Sequence, residues 1–426
     1  MMNRFRLLVF ISFALSSALA QETIQLSIMI GSSSGIDFVR DAANEYMRLH
    51  PEVAIEVLEG PARTDDLLAI YEDYFNSQEG VDILTLDVIW PGDMGDFMLD
   101  LYQFEGFSEA ANEHFEAIIA NNTTLEGELL AIPWFTDAGL LYYRTDLLEK
   151  YGFSDPPETW QELQSMAQVI QDGERVAGNE EFWGFVFQGR EYEGLTVDAL
   201  EWIASNEGGT FISSEGEVTV ANPEAAEVLE LVASWVDSIS PPGVVDFSEE
   251  ESRSVWQSGN AAFMRNWPYA YSLGNADDSA IAGKFAVAPL PAGEEGASVA
   301  GLGGWGLGIP NYSAHPEEAA AFALYLSSKA QQKQRAIAGS FAPTYPELYQ
   351  DEEVLAAVPF FADFRTIVEH AVPRPSAVTS PNYAAVSRAI YRAVHTILIK
   401  ERDAAEGLEV LAADLEAITG FPRVQP

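Results

Sequence analysis

Short apolar runs and amphipathic stretches take turns along the first half of the chain, and this alternation constrains the fold more than any other feature of the sequence. IQLSIMI (Ile24 to Ile30) alternates apolar and polar side chains as a strand does. Ile36 to Leu49 follows with helical spacing at Phe38, Ala42, Tyr46 and Leu49. VAIEVL and VDILTLDVIW are further strand candidates, as is Gly139 to Arg144. Thr159 to Ile170 opens with a capping box, Thr159 with Glu162, and sets Trp160, Leu163, Met166 and Ile170 on one stripe. Such a chain is expected to be α/β, a parallel sheet with helices on both faces. Ligands of such sheets sit beyond the carboxyl ends of the strands.

The amino terminus carries Arg4 and Arg6, an apolar run from Leu7 to Leu15, and small residues at Ala18 and Ala20. It reads as a secretory signal peptide, residues 1–20, cleaved after Ala20. No later stretch approaches the roughly 20 apolar residues of a membrane span. The remaining length exceeds the size at which a single core keeps growing, so two domains are expected. No repeat, low-complexity tract or Pro/Gly/Ser linker separates them, which suggests lobes tied by several crossings of the chain.

Cysteine is absent, so there are no disulfides, no thiolate metal sites and no attachment point for a lipid anchor. With only five histidines, no metal and no cofactor are expected, and the periplasm is the expected compartment. The formal charge of −44 becomes two units more negative without Arg4 and Arg6, which excludes nucleic acid and anionic membrane as partners. The acids are dispersed and 48% of residues are hydrophobic, so the chain is globular, and its acidic surface reads either as solubilising or as an adaptation to saline surroundings.

Candidate site residues follow from position. Asp87 ends the apolar run from Val81 to Leu86, and Asp137 follows LLAIPWF. Each reads either as a turn or cap former or as a ligand contact at a crevice rim. Trp160, Trp202 and Trp235 sit in helical patterns and belong to the core. Trp267, before a proline in NWPY, and Trp305, among the glycines of GLGGWGLG, read as loop residues. They are either glue between segments or, with Tyr269, flat platforms for a sugar's C–H face while carboxylates and an arginine take its hydroxyls. GLGGWG has the spacing of a dinucleotide fingerprint but no acidic residue about 20 positions on, and Pro310 opens a turn where a helix should start. Its glycines read instead as a passage between lobes. GSSSG (Gly31 to Gly35) has the letters of a phosphate nest but no basic residue before Arg40.

FTDAGLLYYRTDLLEKYGFSDPPETWQEL resembles the solute-binding proteins of sugar ABC transporters, sugar-binding family 1, and within them the trehalose/maltose-binding group. FWGFVFQGREYEGL, GNAAFMRNWPYAYSLGNADDS, VAPLP, LGGWGLGI and AVPRP resemble the same group in the same order, over nearly the whole chain after the leader. The resemblance implies a two-lobed periplasmic-binding-protein fold with discontinuous lobes and a three-crossing hinge. Lobe 1 would be 21–136 with 305–341, and lobe 2 would be 137–304 with 342–426. It also implies that Asp87, Asp137, Trp267, Tyr269, Gly304, Trp305 and Arg374 line a disaccharide cleft. Arg374 rests on the short match AVPRP, against a surface ion pair; Tyr142 in LLYYR is as readily a packing residue. Relatives carry an acidic residue where this chain has Gly35, which leaves Asp37 or one of Ser32 to Ser34 to take its place. The implied function is a monomeric periplasmic receptor for an α-linked disaccharide, maltose or trehalose, presented by hinge closure to a membrane permease. No GxxxxGK[ST] loop is present, so the ATPase is a separate chain. The rival readings are a secreted glycoside hydrolase using two carboxylates and a receptor for a longer oligosaccharide.

Overall fold

The computed structural model describes residues 23–124 and 126–424; the leader read at residues 1–20 lies outside them. Nine strands are found among the described residues: β1 (Ile24–Gly31), β2 (Val53–Gly60), β3 (Ile83–Asp87), β4 (Ile132–Ala138), β5 (Leu140–Arg144), β6 (Trp183–Val186), β7 (Ala261–Asn266), β8 (Phe285–Ala288) and β9 (Leu302–Gly308). They form two sheets, ordered β2-β1-β3-β9-β4 and β6-β7-β5-β8.

The alternation in the first half produces a parallel array, β2-β1-β3, as expected. Beyond it the sheet is mixed, which corrects the expectation of a purely parallel one. β9 lies between β3 and β4 and runs antiparallel to both. It also corrects the reading of GLGGWG as a passage between lobes: the stretch is a central strand. Glycine-rich sequence is a poor strand former in isolation, but hydrogen-bond partners on both edges override that weakness. Gly304 has φ 128° and pairs with Thr136, just past a register shift in β4 between Pro133 and Phe135. A Cβ there would lie 2.7 Å from the Phe135 carbonyl oxygen and 2.8 Å from Thr136 Cα, so only glycine fits this bulge.

Helices cover both faces of each sheet. In the first, Val39, Ala42 and Tyr46 of the helix Ile36–Leu49 pack with Phe322 and Leu326 of Pro316–Leu326, and Leu67, Tyr71 and Phe75 of Thr64–Ser77 cover the other face. In the second, Trp160, Phe185, Phe187, Trp202 and Trp235 form one aromatic cluster, so the three tryptophans assigned to the core are there. Trp256, Phe361 and Phe364 lie across its opposite face. The Thr159–Glu162 capping box starts the helix Trp160–Val176 as read.

The chain crosses between the lobes three times. Gly139 alone separates β4 in one sheet from β5 in the other. The segment after β8 leads back to β9. After Phe341, which packs in the first core, the chain returns to supply Val354, Phe361 and Phe364 to the second.

Candidate binding cleft

Asp87, Asp137, Trp267, Tyr269, Gly304, Trp305 and Arg374 all line one cleft between the lobes, a hollow of about 650 Å³ including its solvent mouth. The strands bring them together. Asp87 is the last residue of β3 and faces Trp305 across the β3–β9 ladder; Asp137, next to last in β4, faces Gly303. Trp267 and Tyr269 leave the carboxyl end of β7. Arg374 follows Val372, which bridges to Gly301 just before β9.

Arg374 is an ion-pair residue, but a buried one. Its Nη2 donates to Asp87 Oδ1 at 3.1 Å and its Nη1 to Glu193 Oε1 at 2.7 Å. It therefore joins a strand end of the first lobe to a helix start of the second, Glu193–Ser205. Glu193 also accepts from the Tyr383 hydroxyl at 2.6 Å and from Ser387. Burial pushes the Asp87 carboxyl up to about 6, against the pull of Arg374 and with the push of Glu193. Burial pushes Asp137 well above the usual carboxylate range, Asp87 adds to this, and Arg335 and Arg265 oppose it. Among the described residues no donor reaches the Asp137 carboxylate. A buried acceptor without a protein partner, open to a cleft, is suited to take hydroxyl groups from a ligand.

The aromatic residues are held from behind. Arg265 lies 3.9 Å from the Trp267 ring centroid and covers one face of a ring that is only partly buried. Arg265 is itself gripped by both oxygens of Glu201, at 2.8 and 2.6 Å, and paired with Asp198 at 3.1 Å. Tyr142 is fully buried, and its hydroxyl donates to the Trp267 carbonyl at 2.7 Å, so it positions the main chain of that platform. Trp305 sits in a strand, not a loop, and packs edge-on against Trp90 at 5.5 Å between centroids. The Tyr269 hydroxyl donates to Glu250 at 2.7 Å.

Gly35 adopts φ 73° at a helix start, and a Cβ there would press on Phe38 and Phe341. Asp37 does not stand in for an acid at that place: it is exposed and paired with Arg40 at 3.0 Å. Ser33 and Ser34 do line the cleft. Sequence reasoning missed Glu193, Glu249, Tyr192, Phe135 and Phe341, which line it too. Among the described residues no group of His, Asp and Glu side chains is arranged to hold a metal ion, and no helix is long and apolar enough to cross a membrane.

The family described as bacterial extracellular solute-binding protein matches residues 32–333. The chain is 42% identical over 421 residues to the probable ABC transporter-binding protein of Deinococcus radiodurans, covering 98% of this chain and 99% of that one. Among solved structures it is similar to the maltose-bound MalE3 of T. maritima, with a TM-score of 0.87 and 36% identity over 93% of this chain and 100% of that one. A solute-binding protein of Thermotoga lettingae bound with α-D-tagatose shares the fold, with a TM-score of 0.81 at 22% identity over 93% and 100% of the two chains. The two-lobed arrangement with its three crossings is the periplasmic-binding-protein fold.

Proposed function

Because this chain belongs to the bacterial extracellular solute-binding proteins, receptors for the permease of an ABC importer rather than enzymes, we propose that its cleft captures an α-linked disaccharide, maltose or trehalose. The observation that carries this reading is the pairing of two partly buried tryptophans, Trp267 and Trp305, with the unpartnered Asp137 carboxylate in one cleft. A pyranose ring offers apolar C–H faces to indoles and hydroxyl edges to carboxylates, and a site that meets both needs little else. The maltose named for the T. maritima relative supports the same ligand class.

In this reading the lobes 21–136 with 305–341 and 137–304 with 342–426 close over the sugar, burying it between Trp305 of one and Trp267 of the other. The receptor is a periplasmic monomer exported by the leader at residues 1–20, with no cysteine to anchor it. A calorimetric panel of trehalose, maltose, sucrose, palatinose, glucose and maltotriose tests it. Stoichiometric binding of maltose or trehalose, tightest in the panel, is expected. Tighter binding of glucose, or no binding of either disaccharide, overturns it. A second reading, a longer oligosaccharide, is favoured by a neighbouring hollow that shares Thr64 and Glu193 with the cleft and is lined by Trp90, Tyr383 and Tyr391. Maltotriose binding tighter than maltose would decide for it.

A further inference from the structure

Two of the three crossings between the lobes run past one oxygen atom. Gly139, the single residue between β4 and β5, packs so closely on the Glu201 carboxylate that a Cβ there would lie 2.0 Å from Oε1. Gly301, the residue before β9, donates its amide to the same Oε1 at 3.0 Å, and a Cβ there would lie 2.6 Å from Val197 Cγ1. The Arg265 guanidinium completes the set, with Nη2 on Oε1 at 2.6 Å and Nε on Oε2 at 2.8 Å. Glu201 is fully buried, on the second lobe's helix Glu193–Ser205. A buried ion pair adds little net stability over apolar groups of the same volume, because desolvation offsets most of the attraction. It does fix an arrangement, since only one placement of both crossings and the guanidinium satisfies that oxygen.

We propose that Glu201 is the anchor that ties the hinge angle to the sugar platform: its Oε1 holds both the crossing at Gly301 and the Arg265 guanidinium behind Trp267, with Gly139 pressed on it, so that lobe angle and platform position change together. Arg265 lies 3.9 Å from the Trp267 ring centroid and covers the face turned away from the cleft. Rotation at Gly139 and Gly301 as the lobes part must carry the Gly301 amide or the guanidinium off the shared oxygen. A sugar packed on Trp267 holds Arg265 against Glu201 and so favours the angle at which both bonds are made. Closure then strengthens sugar binding by the same factor by which sugar favours closure. Glu201 touches no ligand and is a positioning residue. Asp198 is the control within the same cluster. It pairs with Arg265 at 3.1 Å and accepts from the Gln188 amide at 3.1 Å, but has no hydrogen bond to either crossing.

The inference rests on the reading that a sugar packs on Trp267, so its test has an arm that needs no sugar. The chain has no cysteine, so Asp41→Cys and Asp172→Cys, exposed on the helices Ile36–Leu49 and Trp160–Val176 of the two lobes, carry spin labels without competition. Double electron–electron resonance then reads the distance between lobes. Glu201→Gln keeps an acceptor for the Gly301 amide but loosens Arg265, and Gly139→Ala displaces the carboxylate. Without sugar, each should raise the ratio of long to short distances about tenfold. Asp198→Asn should lower the melting point and leave the distances unmoved. Unmoved distances in Glu201→Gln and Gly139→Ala, or an equal shift in Asp198→Asn, show a purely structural cluster and overturn the proposal. In Glu201→Gln the maltose Kd should weaken by no more than the factor read from the distances. If wild type binds no sugar yet the distances shift as expected, the anchor stands and the disaccharide reading falls. If maltose binds and the distances stay put, the reading stands and the anchor falls. Should both variants fail to fold, hydrogen exchange of the Gly301 amide in the wild-type chain carries the test: exchange about tenfold slower with maltose is expected, and an unchanged rate overturns the proposal.

Discussion

Replacing Trp305 by alanine removes a ring that packs at right angles to Trp90, 5.5 Å away between centroids, and that lines the cleft. A tryptophan side chain offers about 200 Å² of surface, of which a sugar would cover somewhat under half. Burial of about 80 Å² at about 25 cal/mol per Å² amounts to about 2 kcal/mol, roughly thirtyfold in Kd. Trp267→Ala should lose a similar amount, since one ring face is taken by Arg265 and the other is left for ligand. Trp235→Ala is the contrasting case. That ring is fully buried, with Phe185, Trp160, Phe187 and Trp202 at centroid distances of 5.6, 5.9, 6.4 and 6.5 Å. Its loss should cost about 3–5 kcal/mol of stability through the cavity left behind, with the affinity of the remaining folded protein unchanged. Maltose calorimetry, tryptophan fluorescence with added sugar and thermal melts followed by circular dichroism separate the two behaviours. If Trp305→Ala and Trp267→Ala lower the melting point but leave maltose affinity intact, the two rings are packing between segments and the cleft assignment is wrong.

Gly304→Ala should lower stability by about 2–3 kcal/mol, since φ is 128° and the new Cβ meets backbone at 2.7 Å; an unchanged melt would refute the bulge argument. Truncation after Pro289 removes β9 from between β3 and β4 and bares two strand edges, so a soluble, cooperatively folding 21–289 fragment would contradict the interleaved lobes. Asp65 and Asp87 are both pushed up to about 6 by burial from a usual 3.8, Asp65 also by Glu193. The folded state therefore holds more protons in this range. The stability from these groups is full below about 3.8 and lost as pH rises through 6, so the melting temperature should fall from pH 5 to pH 7, and less steeply in Asp65→Asn. Raising sodium chloride from 0.1 to 1 M shortens the Debye length from about 10 to about 3 Å and should raise the melting temperature of so acidic a chain; a flat profile would count against self-repulsion.

Local signals in the sequence carried the first lobe well. Alternation with period 2, then 3.6, marks β1, its following helix and β2, and an aspartate closing an apolar run marks the end of β3. Trp305 was misplaced because its neighbours are glycines, and no local preference predicts a strand whose partners, β3 and β4, lie more than 160 positions away. The mixed direction of the sheet was hidden for the same reason. The cleft carboxylate Glu193 meets Arg374 across 181 positions, and Arg265 meets Glu201 across 64, distances that no spacing rule spans. One signal was present and unread: Asp198 and Glu201 interrupt the apolar run LTVDALEWIA, and acids in such a run must be paired if it is buried. Asp137, Gly304 and Arg374 came from resemblance alone or needed it, because a strand-end aspartate, a glycine and an arginine are each common for other reasons.

The Arg374 bridge also bears on how the empty receptor breathes. Asp87 moves with the first sheet and Glu193 with the second lobe, so parting the lobes must pull the guanidinium from one carboxylate and leave charges that only water can serve. Opening is then a hydration step as much as a rotation. Water activity becomes a control variable in its own right. Solutes excluded from the cleft should therefore favour closure, which small-angle scattering at rising osmolyte concentration would read as a more compact receptor.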